Sequence, residues 1–142
     1  MIDYNKVLTD ICYMINTEIM YGYHGRMMSP DVINQIKRDL CKYFDDEDFI
    51  INSNNGTIFI DFRKIDILEC KKLVMRLRDK LVWMDKTGKE HHIKNMKDSH
   101  IRNCLRLIQS RDDWRQEFVS IFKNELQYRR NEKLNRVLCA LK

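Results

Sequence analysis

His91, His92 and His100, three of the chain's four histidines, fall within ten residues of one another. Between and around them stand Glu90, Lys94, Asn95, Lys97, Asp98, Ser99, Arg102, Asn103 and Cys104. On a helix, His100 and Cys104 would share one face, because side chains four apart stack. A strand bringing His91 or His92 alongside would add a further nitrogen ligand, and zinc takes three or four such groups at tetrahedral angles. Adjacent strand residues point to opposite faces, so only one of His91 and His92 joins readily. The spacing follows no zinc pattern, and no metal is expected. A structural reading competes. Met96 precedes Asp98-Ser99, and Ile101, Leu105 and Ile108 follow on one face, so Met96 would staple a helix start. His100 and Asn103 would then hydrogen-bond the neighbouring strands.

A second set of candidates is cationic. Lys94, Lys97, Arg102, Arg106, Arg111, Arg115, Lys123, Arg129, Arg130, Lys133 and Arg136 all lie in the second half of the chain. Arg102 and Arg106, with Arg129 and Arg130, suit bidentate contact with phosphate, and Tyr128 could stack on a base. The alternative is a solvated helix face, with Glu125–Arg129 and Glu132–Arg136 as pairs four apart. The segment from Tyr21 to Met28 is a third candidate. Tyr23, His24 and Arg26 beside Gly22 and Gly25 suit a binding loop, or an ordinary helix connection with half-buried rings. No phosphate-cradling glycine loop, serine elbow or standout carboxylate pair is present.

The elements that must position these groups are legible as patterns. Val7, Leu8, Ile11, Met14, Ile15 and Ile19 recur at three and four, predicting a helix over 3–21 that Gly22 and Gly25 end. Ser29-Pro30-Asp31 is a strong helix start, and Val32, Ile33, Ile36, Leu40 and Phe44 continue one face to the acidic run 45–48, expected to be solvated. Phe49–Asn52 and Thr57–Phe62 read as strands joined at Asn54-Asn55-Gly56, with Ile58, Ile60 and Phe62 on the core face. Asp66 caps a helix from Ile67 to about Lys80, with Leu68, Leu73, Val74 and Leu77 as its stripe. Val82–Met84 and Glu90–Ile93 form a second hairpin around the Asp85-Lys86-Thr87-Gly88 turn. Asp98 or Ser99 caps a helix through Ile108. A long basic helix over 112–141 carries Trp114, Phe118, Ile121, Phe122, Leu126, Leu134, Val137, Leu138 and Leu141. The fold class is α+β, with N-terminal helices, small antiparallel hairpins and a long C-terminal amphipathic helix. Residues 1–110 are the expected core domain. Residues 111–142 form the basic helix, packed on that core or on a second copy.

The 142 residues, 44% apolar with one Pro and four Gly, fit one domain and exclude a disordered or collagen-like chain. The net charge of +5 hides a split, −4 over residues 1–66 and +9 over 67–142. The split points to an anionic partner for the second half, or to the two halves attracting each other. Five widely spaced cysteines without a CxxC pair read as reduced thiols, mostly buried. Residues 1–4 show no signal-peptide character and no run reaches 18 apolar residues, so the expectation is a cytoplasmic protein without a membrane partner.

Two resemblances add to this. A hairpin bearing His-His followed by a helix with Asn looks like the His-Asn-His nuclease motif. That likeness implies His92 as the water-activating base and Asn103 as its positioner. The later metal-holding histidine is missing, with Asp112 or Asp113 nearest. Separately, Trp83-x4-Gly88, Ile93, Met96, His100-Ile101 and Asn103 resemble a segment common in small phage and prophage proteins. The likeness spans Trp83 to Ile108. Most such proteins have no assigned activity, and several encoded nearby act against host defences. The resemblance implies a non-enzymatic counter-defence factor in the host cytoplasm, acting by stoichiometric binding. One version sequesters a nucleotide signal between subunits of a homodimer, with Arg102 and Arg106 on phosphates and Trp83 or Tyr23 on the base. The expected ligand-binding set is Trp83, His92, His100, Arg102, Asn103, Arg106, Tyr23 and Arg26. The other version is an anti-CRISPR-like inhibitor of a host effector nucleoprotein.

Overall fold

The computed structural model describes residues 2–27, 29–54, 57–62, 66–111 and 114–141, with the backbone alone at 52–54 and 57–62. The expected Asn55-Gly56 turn, the core face of Ile58, Ile60 and Phe62, and Asp112 and Asp113 lie outside what is described. The fold is α+β.

Helix α1 (Tyr4–Gly22) starts where Asp3 accepts a hydrogen bond from the Lys6 N–H, and buries Ile11, Cys12, Met14 and Ile15. Helix α2 (Pro30–Leu40) has Pro30 in its first turn and Ser29 as its cap, accepting from the Val32 N–H. It stops four residues before Phe44. That ring is still buried, because the turn after Leu40 carries it back onto the core. The acidic run forms a short 3-10 turn at Asp46–Asp48. It is not wholly left to solvent, since Arg76 reaches Asp45 at 3.6 Å and Asp48 at 3.5 Å.

Strands β1 (Phe49–Asn54) and β2 (Thr57–Phe62) pair antiparallel from Phe49↔Phe62 to Asn54↔Thr57. Helix α3 (Ile67–Arg78) is capped by Asp66, which accepts from the Glu69 N–H. Its buried stripe is Cys70, Val74 and Leu77. Leu68, assigned to that stripe from sequence, is 62% exposed. Positions 70, 74 and 77 are the self-consistent helical row, and residue 68 falls off it.

Strands β3 (Val82–Met84) and β4 (Glu90–His92) form a second antiparallel hairpin, with Trp83 opposite His91. Gly88 sits at φ +85° in its turn, where a side chain would be strained. Helix α4 (Asp98–Gln109) begins at Lys97 without a side-chain cap, so neither Asp98 nor Ser99 plays the expected capping part. Met96 and Ile101 are both buried, at the two positions of a hydrophobic staple.

Helix α5 (Glu117–Ala140) starts five residues later than its periodicity suggests. The Gln116 side-chain amide occupies the junction, donating to the Ile108 and Arg111 carbonyls at 3.0 and 2.8 Å. Helix α1 packs on α3 and α5, and α4 packs on α5. Phe118, Ile121 and Phe122 bury the first half of α5 in the same core as α1.

Candidate anion-binding surface and the adjoining groove

The turn between β3 and β4 is organised by one carboxylate. Asp85 accepts hydrogen bonds from the Thr87 N–H at 2.9 Å, the Thr87 hydroxyl at 2.5 Å and the Lys89 N–H at 3.1 Å. His91 Nε2 lies 2.9 Å from its other oxygen. The Thr87 hydroxyl, then His91, hold the Asp85 carboxyl well below the usual carboxylate range. The His91 ring meets His100 of α4 edge to face, with centroids 5.2 Å apart. An open groove of about 540 Å³ lies between β4 and the start of α4, lined by His91, His92, Lys97, Ser99, His100 and Asn103 among others.

The structure thus brings together His92, His100 and Asn103 of the expected set. The side chains of His100 and Asn103 make no hydrogen bond to the hairpin among the described residues. His100 touches it through the ring contact alone. Cys104 turns away from the groove and is buried with Ile101 and Ile108. Among the described residues, no group of three His, Cys, Asp or Glu gathers closely enough to hold a metal ion.

The arginines sort into two populations. Arg78 donates from Nε and Nη2 to the two oxygens of the buried Glu125, each at 2.7 Å, and lies 4.0 Å from the Tyr128 ring centroid. Arg129 reaches the same carboxylate at 3.1 Å, Asp98 at 2.5 Å, and the Ile93 and Lys94 carbonyls. Arg129 is therefore committed to joining α4 and α5 rather than left free for phosphate, and half-buried Tyr128 carries Arg78 over its ring. The Glu125–Arg129 pair is half of a buried clamp rather than a solvated decoration. Glu132–Arg136, at 3.9 Å, is the solvated kind.

Arg102 and Arg106 belong to the other population. Both are exposed on α4, one turn apart, and neither makes a hydrogen bond or ion pair among the described residues. Arg102 feels Asp98, as does Lys133 of α5, but that carboxylate is already engaged by Arg129.

The remaining expected residues sit elsewhere. Trp83 is 3% exposed, so it has no free face for a ligand base. Its ring is enclosed by Trp114, Phe118 and Phe122, with centroids 6.2, 5.1 and 5.2 Å away. Arg115 lies over it at 4.4 Å while donating to the Met84 carbonyl at 2.7 Å. Arg115 takes φ +50°, a conformation non-glycine residues rarely adopt. Tyr23 donates its hydroxyl to Asp39 at 2.7 Å, and Arg26 sits 5.7 Å from its ring centroid. Both line a separate cavity of about 370 Å³ beside Glu18 and Tyr43.

All five cysteines are free thiols, three buried and two exposed. Burial pushes Cys12 up to about 12 and raises Cys70 and Cys104, while a hydrogen bond to Asp46 raises exposed Cys41. None of these four is a ready thiolate nucleophile. No helix among the described residues is long and apolar enough to cross a membrane.

Sequence reasoning missed the carboxyl pair of Glu18 with Glu117, and it placed Glu125 and Arg115 on a solvated or phosphate-facing surface rather than in the core contacts they make. Desolvation, then the hydrogen bond with Glu117 and its charge, push Glu18 up from 4.5 to about 7, against the pull of Arg115. A carboxyl raised in the folded state binds more protons there than in the unfolded chain. Its contribution is therefore fully present below pH 4.5 and lost as pH rises towards 7. Glu18 is exposed overall, so solvent screens part of the effect. Glu18→Gln is expected to raise the melting temperature at pH 8 relative to wild type and to flatten its decline between pH 5 and 7. Melting curves of the two proteins that stay parallel across that range would rule this out.

No family model, curated protein or solved structure matches this chain.

Proposed function

We propose that this protein acts by stoichiometric binding, and that its partner is the phosphate-bearing surface of a nucleoprotein. The observation that carries the reading is the sorting of the arginines. Arg76, Arg78 and Arg129 are taken up by carboxylates of the fold. Arg102 and Arg106 are left side by side on α4, with Lys133 close to the same Asp98. Guanidinium groups one turn apart, without an acidic partner among the described residues, suit successive phosphates. Neither lines the cavities described above, and Trp83 is buried where a base would need it, which favours a backbone over a free nucleotide. The likeness of Trp83–Ile108 to phage segments suggests that the binding serves counter-defence, with a host effector nucleoprotein as the target.

Fluorescence anisotropy with labelled single-stranded RNA and a DNA duplex, across a salt series, tests this. Affinity is expected to fall steeply with salt, and the Arg102→Ala/Arg106→Ala variant should reduce the duplex log–log slope by about 2. An unchanged slope, or no binding at low salt, would sink the reading. Native mass spectrometry distinguishes the nucleotide version, which predicts a nucleotide-sized adduct lost in the same variant. Metal-dependent duplex cleavage abolished by His92→Ala would establish the nuclease reading instead.

A further inference from the structure

An apolar cleft lies where α1, β3 and the start of α5 meet. It holds about 190 Å³ and is walled by Met14, Val82 and Phe118 among others. It shares Glu18 and Tyr43 with the larger cavity beside Tyr23, and Glu18, exposed overall, stands at that shared end. Two charged side chains line the cleft, Glu18 and Arg115. The charge of Arg115 is felt at Glu18, yet no ion pair joins them among the described residues. The Arg115 guanidinium is held in place. Its Nη1 donates to the Met84 carbonyl and it lies over the Trp83 ring, while Nε and Nη2 have no acceptor among the described residues. Its backbone takes φ +50°. Residues held in such sparsely populated conformations cluster at ligand sites. Apolar walls with a few convergent polar groups are the ordinary form of a small-molecule site.

We infer that this cleft binds a zwitterion with an aliphatic body, a free aliphatic α-amino acid. Its carboxylate meets the unspent N–H groups of Arg115, its ammonium meets Glu18, and its side chain packs against Met14, Val82 and Phe118. Opposite charges that face one apolar space without touching are matched by a ligand carrying both. An acid without an amine brings its carboxylate towards Glu18 and the neighbouring Glu117, and an amine without an acid brings its cation towards Arg115. Each leaves a like-charge approach and one protein charge unmatched. A phosphate meets the same two acids and has no apolar part for the walls. The small volume suits a short aliphatic side chain. Glu18 holds a proton up to about pH 7 beside Glu117, and the ligand's ammonium takes the place of that proton. The inference does not depend on phosphate binding at Arg102 and Arg106.

Titration calorimetry of the full chain with L-leucine tests this at pH 8, above the range in which Glu18 holds its proton. Saturable binding with Kd of about 1 mM or tighter is expected. Isoamylamine, which lacks the carboxylate, and isocaproate, which lacks the ammonium, should each bind about tenfold or more weakly. Glu18→Gln should weaken L-leucine about fivefold or more. Arg115→Gly should lose binding while melting close to wild type, because glycine accepts φ +50° without strain. Arg102→Ala/Arg106→Ala should leave binding unchanged. No saturation by about 10 mM L-leucine overturns the proposal. Equal affinity for isocaproate makes the cleft an acid site, equal affinity for isoamylamine makes it an amine site, and either overturns it. So does wild-type affinity in Glu18→Gln, a result that stands whether or not Arg115→Gly folds.

Discussion

Glu125→Ala is expected to lower the free energy of unfolding by about 3–5 kcal/mol, the cost of breaking a buried ion pair by removing one partner. Glu125 is 5% exposed and receives two arginines at once. Removing its carboxylate leaves Arg78 beside Tyr128 without its hydrogen-bonded carboxylate, with only the more distant charge of Glu132, and deprives Arg129 of one of its two acidic partners. The Arg78 guanidinium then bears most of its desolvation cost uncompensated. Glu125→Gln keeps the volume and one acceptor, so its loss should fall between wild type and Ala. Arg129→Ala should cost less than Glu125→Ala, because Arg78 keeps its bidentate partner. Urea unfolding midpoints at constant slope measure all three. A loss below about 1 kcal/mol for Glu125→Ala would show that the clamp is replaceable by water.

Trp83→Ala should be as costly, about 3–5 kcal/mol, for a large ring removed from a packed interior. The loss has a structural direction. Trp83 fastens the β3–β4 hairpin to the start of α5 through Trp114, Phe118 and Phe122, and it is the platform on which Arg115 lies. The hairpin also carries Asp85 and His91, so its loosening should disturb the groove against α4. Trp83→Phe preserves an aromatic ring and is expected to recover more than half of the stability. Near-ultraviolet circular dichroism and thermal unfolding read both effects. Near-native melting for Trp83→Ala would contradict the assignment of this ring to the core.

Both residues show how the sequence was legible and where it was not. Trp83 entered the candidate set through the likeness of Trp83–Ile108 to phage segments, as a ring to stack on a base, and an aromatic ring serves ligand platforms and cores alike. Only its neighbours on α5, more than thirty positions away, turn it inward. Glu125 attracted attention as half of a pair with Arg129, four residues on. That spacing is correct, but a local pattern cannot reveal that Arg78 of α3 and Asp98 of α4 converge on the same pair. Arg102 and Arg129 look alike in the sequence. One is exposed without an ion-pair partner among the described residues and the other is held by four acceptors.

By itself the sequence determined the helices, the hairpins and several of their caps. Asp3, Ser29 and Asp66 hold local N–H groups within three residues, and apolar periodicity follows from backbone geometry alone. It also determined the charge division between the two halves. The tertiary structure decided which charges are spent and which remain. Pairing of Arg78 with Glu125, or enclosure of Trp83 by three rings, requires segments distant in the chain to meet, and no local periodicity encodes that meeting. The same packing ends the core at the middle of α5. That leaves Leu134, Val137, Leu138 and Leu141 facing outward, although their pattern is the one that buries Phe118 and Phe122 earlier in the same helix.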